Sequence, residues 1–192
     1  MSSSLLPGLA TPDPRLEREI RGRLREVETA LEKAVRADSG MLGETAAYLL
    51  AAGGKRFRPM LVLLSGYFGD PADPRLIPGS VAMELIHVAT LYHDDVIDEA
   101  ASRRGTVSVN ANWTNTIAIL AGDFLLARAS EVAAPLGTEA VALLARTYAL
   151  LCEGQVLELQ LAGNLDQRPA DYFGVIEKKT ASLIRASARL GA

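Results

Sequence analysis

An all-α fold of packed helices is predicted by three features of the sequence. Apolar residues make up 49% of the 192 residues and aromatics only 5%, so the core is aliphatic, rich in Ala and Leu, the strongest helix formers. Apolar positions recur every three or four residues through long stretches. No run alternates apolar and polar residues in the manner of a half-buried strand.

The first helix is carried by Leu16, Ile20, Leu24, Val27, Leu31 and Val35, with charges between them. Asp13 supplies a cap and Pro14 a first-turn proline. Residues 1–14 are rich in Ser, Pro and Gly and read as a disordered N-terminal segment, leaving 15–192 as one helical domain. A second helix is predicted over residues 42–52, ended by Gly53 and Gly54. Pro59 opens a third, and residues 69–79, with Pro71, Pro74 and Pro78, form a loop. Ser80 caps a fourth helix that ends at Asp98, followed by a polar connector to Asn112. Two long apolar helices cover residues 115–134 and 138–161, and a last helix starts near Asp171.

Composition excludes several function classes. A formal net charge of −3 argues against nucleic acid as the main partner. Cys152 is the single cysteine, which rules out an internal disulfide; its neighbours Leu150 and Leu151 predict a buried, inert thiol. The N-terminus lacks a basic start followed by an apolar run, and no uninterrupted run nears the ~18 apolar residues of a spanning helix. The expectation is a soluble, cytoplasmic protein without a membrane span.

The segment from His87 to Asp98 carries the chemistry. Asp94 and Asp98 are four apart and share a helix face, with Asp95 about a quarter turn round. Acids near a helix C-terminus oppose the macrodipole and repel one another. A hard cation such as Mg²⁺ relieves both, since it takes oxygen ligands from one or two carboxylates, water and phosphate. A solvated acidic helix end would read the same way.

Two basic clusters flank the acids. In Gly53-Gly54-Lys55-Arg56-Phe57-Arg58-Pro59 the glycines let the backbone turn tightly, so that Lys55 and Arg58 can face one anion beside a helix N-terminus. A helix cap followed by solvated charges would also fit. Arg103-Arg104-Gly105 lies just past the acids, and Arg suits bidentate phosphate contacts. His87, seven residues before Asp94, lies two turns up the same face; His93 points elsewhere and reads as structural. Acids for a cation beside cations for polyanions describe a site for metal-bridged phosphates.

Together these segments resemble the trans-isoprenyl diphosphate synthase family. The Gly-Gly-Lys-Arg-Phe-Arg-Pro stretch is similar to its diphosphate-binding loop, and Asp94-Asp95-Val-Ile-Asp98 to its first aspartate-rich motif. Arg103-Arg104-Gly105, Gly122-Asp123, Glu153-Gly154-Gln155 and Lys179-Thr180 follow in the family's order. The resemblance implies an isoprenoid-synthase bundle with a central cavity, and a Mg²⁺-dependent transferase that condenses isopentenyl diphosphate with an allylic diphosphate. It implies that Lys55, Arg58, His87 and Arg104 hold isopentenyl diphosphate, that Arg103, Lys179 and Thr180 hold the allylic diphosphate, and that Asp94, Asp95 and Asp98 hold the metal. It implies a homodimer. Small Ala89 and Thr90, one turn before Asp94, imply a long all-trans polyprenyl product of the sort used for a quinone side chain.

The family's second aspartate-rich motif is missing: after Asp98 only Asp123, Asp166 and Asp171 occur, and they are isolated. The sequence ends mid-pattern, like a cut through a fold, and the 192 residues alone are expected to be catalytically silent. A regulatory subunit of a heteromeric prenyl synthase is the alternative. A terpene cyclase is a third reading, opposed by cations enough for a second diphosphate.

Overall fold

The computed structural model describes residues 13–192; the segment read as disordered lies outside them, apart from Asp13 and Pro14. Helix α1 (Pro14–Ala34) starts where Asp13 Oδ1 accepts from the amides of Arg15 (2.8 Å) and Leu16 (3.4 Å). These are amides that a helix cannot satisfy internally. Its buried stripe is Ile20, Val27 and Leu31. Helix α2 (Gly40–Ala51) is capped by Ser39 and stops before Gly53, whose φ of +84° favours glycine. Helix α3 (Phe57–Ser65) follows the basic loop and tightens into a 3₁₀ turn at Gly66–Phe68.

Helix α4 (Leu76–Ile97) is the centre of the bundle and is buried along most of its length. It begins a turn earlier than Ser80. Pro78 sits in the first turn, where a missing N–H matters little. Gly79 packs against Leu190, and Ser80, fully buried, directs its hydroxyl at the Pro59 carbonyl (3.4 Å) instead of capping.

The polar connector contains a hairpin that period-two reasoning misses, because its strands β1 (Ser102–Arg103) and β2 (Thr106–Val107) have two residues each. Arg103 pairs with Thr106 across a loop of Arg104 (φ 53°) and Gly105 (φ 77°), the two positive φ values of a type I′ turn. A short helix α5 (Val109–Asn112) leads into α6 (Asn115–Ala133), capped by the Thr114 hydroxyl (3.2 Å to the Ile117 amide). Ala118, Ala121, Gly122, Leu125, Ala129 and Ala133 are its buried stripe. The small residues let α6 lie close to α4; a Cβ on Gly122 would stand 2.3 Å from His93 Nε2.

Helix α7 (Thr138–Leu161) runs as the sequence predicts. By length and composition it is apolar enough to cross a membrane, which the search for an uninterrupted run did not anticipate. Sparse charges among its apolar residues raise its average, and a long core helix has the same composition. Helix α8 (Pro169–Ile176), a π-helical turn (Glu177–Ala181) and α9 (Ser182–Gly191) complete the described chain. Helices α7 and α9 pack together, and α9 also packs on α3.

The π turn meets α7 at Gly154, where a Cβ would lie 2.6 Å from the Lys179 amide nitrogen. Gly154→Ala therefore forces α7 and the π turn apart. The expected loss is about 1 to 3 kcal/mol, the usual effect of overfilling a packed contact, read as a lower melting temperature; an unchanged melt would show that the contact yields freely.

Candidate functional site

A cavity of about 580 Å³ opens between α4, α6, α7 and the π turn. Leu91, Ile119, Leu151, Val156 and Leu183 give it an apolar wall, while Arg58, His87, Asp94, Lys179 and Thr180 give it charge and hydrogen-bonding groups. A second pocket of about 100 Å³ is lined by Lys55, Arg56, Phe57, Arg58, Glu84, His87 and Arg104. Arg58 and His87 border both. The four residues assigned by resemblance to one diphosphate thus all meet in the small pocket, and Asp94, Lys179 and Thr180 meet in the large one.

The small pocket is built around a buried ion pair. Arg56, only 6% exposed, donates from Nη1 to Glu84 (3.0 Å), from Nε and Nη2 to Glu28 (2.5 and 3.1 Å), and to the Leu50 carbonyl (3.0 Å). Its φ of 45° lies in the left-handed region, a conformation that bulky residues hold only when their surroundings enforce it. Arg56 therefore ties the loop to α1 and α4 and leaves anion contacts to its neighbours. Arg104 Nη1 donates to the carbonyls of Leu49 (2.8 Å) and Gly53 (2.5 Å), and its Nη2 lies 3.8 Å from Glu84. A Cβ on Gly54 would crowd both guanidinium groups, at 3.0 Å from Arg56 and 3.3 Å from Arg104.

Arg58 contrasts with both. Its Nε is shielded from solvent and has no hydrogen-bond partner among the described residues; burial lowers its affinity for protons, as does Arg104. Burial, with Arg58, Arg104 and Arg56 adding to it, pushes the His87 imidazole down to about 3. His87 is consequently neutral at neutral pH. The pocket holds fixed positive charge that the protein's own acids leave partly unmatched.

The three aspartates separate. Asp94 lines the cavity; burial pushes its carboxyl up, Lys179 pulls it back, and Asp98 pushes it up again. Asp98 is exposed and closes the end of α4, its amide bonded to the Asp94 carbonyl (2.8 Å). Asp95 is fully buried off the cavity lining, and its Oδ1 takes Nε (2.7 Å) and Nη2 (2.6 Å) of Arg103. No three His, Cys, Asp or Glu side chains among the described residues converge into a ready-made metal site. Asp94 and Asp98 remain, which suits a cation that keeps most of its shell for water and phosphate oxygens. Arg103 lies on neither lining.

The π turn presents Lys179 and Thr180 to the cavity, with Lys179 Nζ bonded to Glu158. Such bulges occur often at functional sites. Thr90 lines the cavity, its hydroxyl bonded to the His87 carbonyl (2.7 Å). Ala89 is fully buried and off the lining, one turn before His93, whose ring lies against Gly122 of α6.

Several residues escaped sequence reasoning. Glu84 is an acid inside an apolar run, and that anomaly was the available signal. His93, read as structural, lines the cavity. Its Nε2 lies 3.2 Å from the Ile119 carbonyl and 3.4 Å from Asp123, and its Nδ1 lies 3.4 Å from the Tyr148 hydroxyl. Burial and the Cys152 thiol push that hydroxyl up to about 12. Cys152 is exposed on the cavity wall, not buried: one residue past Leu151, the helix has turned away from the core. Gln155, 8% exposed, lines the cavity with neither amide atom hydrogen-bonded among the described residues. Burying an unsatisfied polar group costs about 1 to 3 kcal/mol.

The chain matches the Polyprenyl synthetase family over residues 39–192. It is 40% identical over 190 residues to nonaprenyl diphosphate synthase of Mycobacterium tuberculosis, covering 98% of this chain and 57% of that protein. It is 46% identical over 170 residues to heptaprenyl diphosphate synthase component 2 of Geobacillus stearothermophilus, covering 88% of this chain and 53% of that protein. The fold superposes with a TM-score of 0.89 and 32% identity on polyprenyl synthase of Caulobacter crescentus, crystallised with calcium and isoprenyl diphosphate, over 100% of this chain and 57% of that one. The chain spans about half the length of the curated relatives it matches.

The contrast between the two loop arginines is measurable. Arg56→Ala strands Glu84 and should destabilise the protein by about 3 to 5 kcal/mol, as removing one partner of a buried pair does. Arg58→Ala should leave stability within about 1 kcal/mol or raise it, since the lost group is buried without a partner. Chemical denaturation of both variants gives the two numbers; equal losses would refute the division of roles.

Proposed function

The chain belongs to the polyprenyl synthetase family, and from that premise we propose that it binds isopentenyl diphosphate and an allylic diphosphate for head-to-tail condensation into a long all-trans polyprenyl diphosphate. The observation that carries this reading is the pair of adjoining pockets sharing Arg58 and His87. A small cationic pocket suits the diphosphate of isopentenyl diphosphate, and a larger cavity with an apolar wall suits an allylic diphosphate and its hydrocarbon tail.

In this reading Lys55, Arg58, neutral His87 and Arg104 hold the isopentenyl diphosphate, with Arg56 and Glu84 fixing the loop. Lys179 and Thr180 hold the allylic diphosphate. Asp94 and Asp98 hold Mg²⁺, which when bound neutralises charge on the departing diphosphate. The allylic C–O bond breaks and its electron pair leaves with the diphosphate. The double bond of isopentenyl diphosphate then attacks the allylic carbon, and a proton is lost from the adduct. Preorganised cations favour departure of the anion, and Leu91, Leu151 and Leu183 keep water from the cation. Asp95 acts indirectly, by anchoring the hairpin through Arg103. Thr90, on the lining, leaves room for a long tail. The enzyme works in the cytoplasm as a homodimer and makes a quinone side-chain precursor. The identity to a protein named as a component of heptaprenyl diphosphate synthase favours a second reading, in which an unlike subunit takes the place of the second copy; light scattering of the purified chain, as a homodimer or a monomer, separates the two.

Binding measurements test the assignments. Arg58→Ala should weaken isopentenyl diphosphate by about 1.5 to 3 kcal/mol, the worth of a charge-assisted contact. Asp94→Asn should spare that ligand and abolish the Mg²⁺-dependence of binding a non-hydrolysable allylic diphosphate. Titration calorimetry with and without Mg²⁺ decides, and wild-type binding indifferent to Mg²⁺ would remove the metal role. Thr90→Phe should exclude a long prenyl diphosphate while sparing a short one; unchanged affinity for both would move the tail elsewhere.

A further inference from the structure

Gln155 has the properties of a reacting-site group rather than of a core residue. Its side chain is more than nine-tenths buried and lines the large cavity, yet both amide atoms lack a hydrogen-bond partner among the described residues. Ordinary core amides are satisfied. With no partner on either pole, nothing in the protein fixes which pole faces the cavity, and a ligand decides it. The backbone at this point cannot shift, because Gly154 is held against the Lys179 amide by the π turn. The amide therefore stands at a fixed height on α7, next to the turn that presents Lys179 and Thr180. Leu151, one turn earlier on α7, and Leu183 from α9 give the same cavity its apolar wall.

We propose that Gln155 is a catalytic residue whose amide oxygen faces the allylic carbons and stabilises the positive charge that develops on them as the diphosphate departs. A neutral dipole suits this task. A carboxylate at that point would be a permanent anion able to trap the cation, and a hydrocarbon would offer it nothing. A buried dipole that is already unsolvated needs no reorganisation when charge appears. The other polar side chains of the wall are engaged: Tyr148 with His93, His93 with the Ile119 carbonyl, and Lys179 with Glu158. The inference rests on the function proposed above.

The test compares two ligands on the purified chain. One is an allylic diphosphate analogue in which a charged ammonium nitrogen replaces the carbon that bears the cation; the other is its neutral carbon isostere. Wild-type protein should bind the ammonium analogue about 10- to 100-fold more tightly, the range of a charge-assisted contact. Gln155→Leu and Gln155→Met should lose most of that preference, keep affinity for the neutral isostere within about threefold, and melt no lower than wild type, because each removes an unsatisfied group. A preference retained in both variants, or absent from the wild type, overturns the inference. Failure of the wild type to bind either diphosphate overturns the proposed function itself. A lower melting temperature in both variants would show that the amide serves packing and would equally overturn the catalytic role.

Discussion

Arg56 donates to carboxylates on two helices, Glu28 on α1 and Glu84 on α4, and the basic pocket depends on that clamp. A loop carrying Lys55, Arg56 and Arg58 would repel itself if its charges were left to solvent and chance. Burying one of the three in a network of acids converts it from part of the repulsion into an anchor. A buried pair of this kind contributes little net stability compared with an apolar replacement, so its value here is geometric. It holds the left-handed turn at Arg56 and thereby sets where Arg58 emerges.

Glu84 extends the same logic to the hairpin. Its carboxylate lies near Arg104 as well as bonded to Arg56, while Arg104 also reaches the carbonyls that end α2. The I′ turn sends adjacent arginines to different tasks: Arg103 to the buried Asp95, Arg104 to the pocket. Two consecutive arginines thus do unlike work because two residues with positive φ separate their directions. Arg58 alone keeps a buried donor unmatched, which is the electrostatic signature of a group waiting for an anion.

The large cavity is the complementary case, where most of the wall is hydrocarbon and each polar group is conspicuous. Small residues on α6 let α4 approach, and Gly154 lets the π turn approach α7. These close contacts leave the cavity as the remaining space, bordered by α4 and α7. Burial raises the Asp94 carboxyl while Lys179 opposes it, so the acid is balanced between cations that can replace one another. A metal–diphosphate unit entering there meets carboxylate on one side and ammonium on the other.

The helices were legible because caps and a three-to-four-residue period act within a few residues: Asp13 before α1, and the bounds of α7. The start of α4 was misplaced because Pro78 reads as a loop residue unless its place in a first turn is known, and the hairpin strands are too short to alternate. The membership of both pockets was largely legible, since Lys55, Arg58, His87, Arg104, Asp94, Lys179 and Thr180 are residue types that declare their chemistry. What the sequence could not decide was which charges cancel. Asp95 and Arg103 are eight residues apart across a turn, and Arg56 meets acids 28 residues away on either side. The exposure of Cys152, the placing of Thr90 on the lining with Ala89 off it, and the unpaired amide of Gln155 follow from which side of a helix meets which neighbour. Local sequence sets a helix's period and its ends, but the rotation of one helix against another is set by packing, and that rotation sorted the like-charged residues into anchors and ligands.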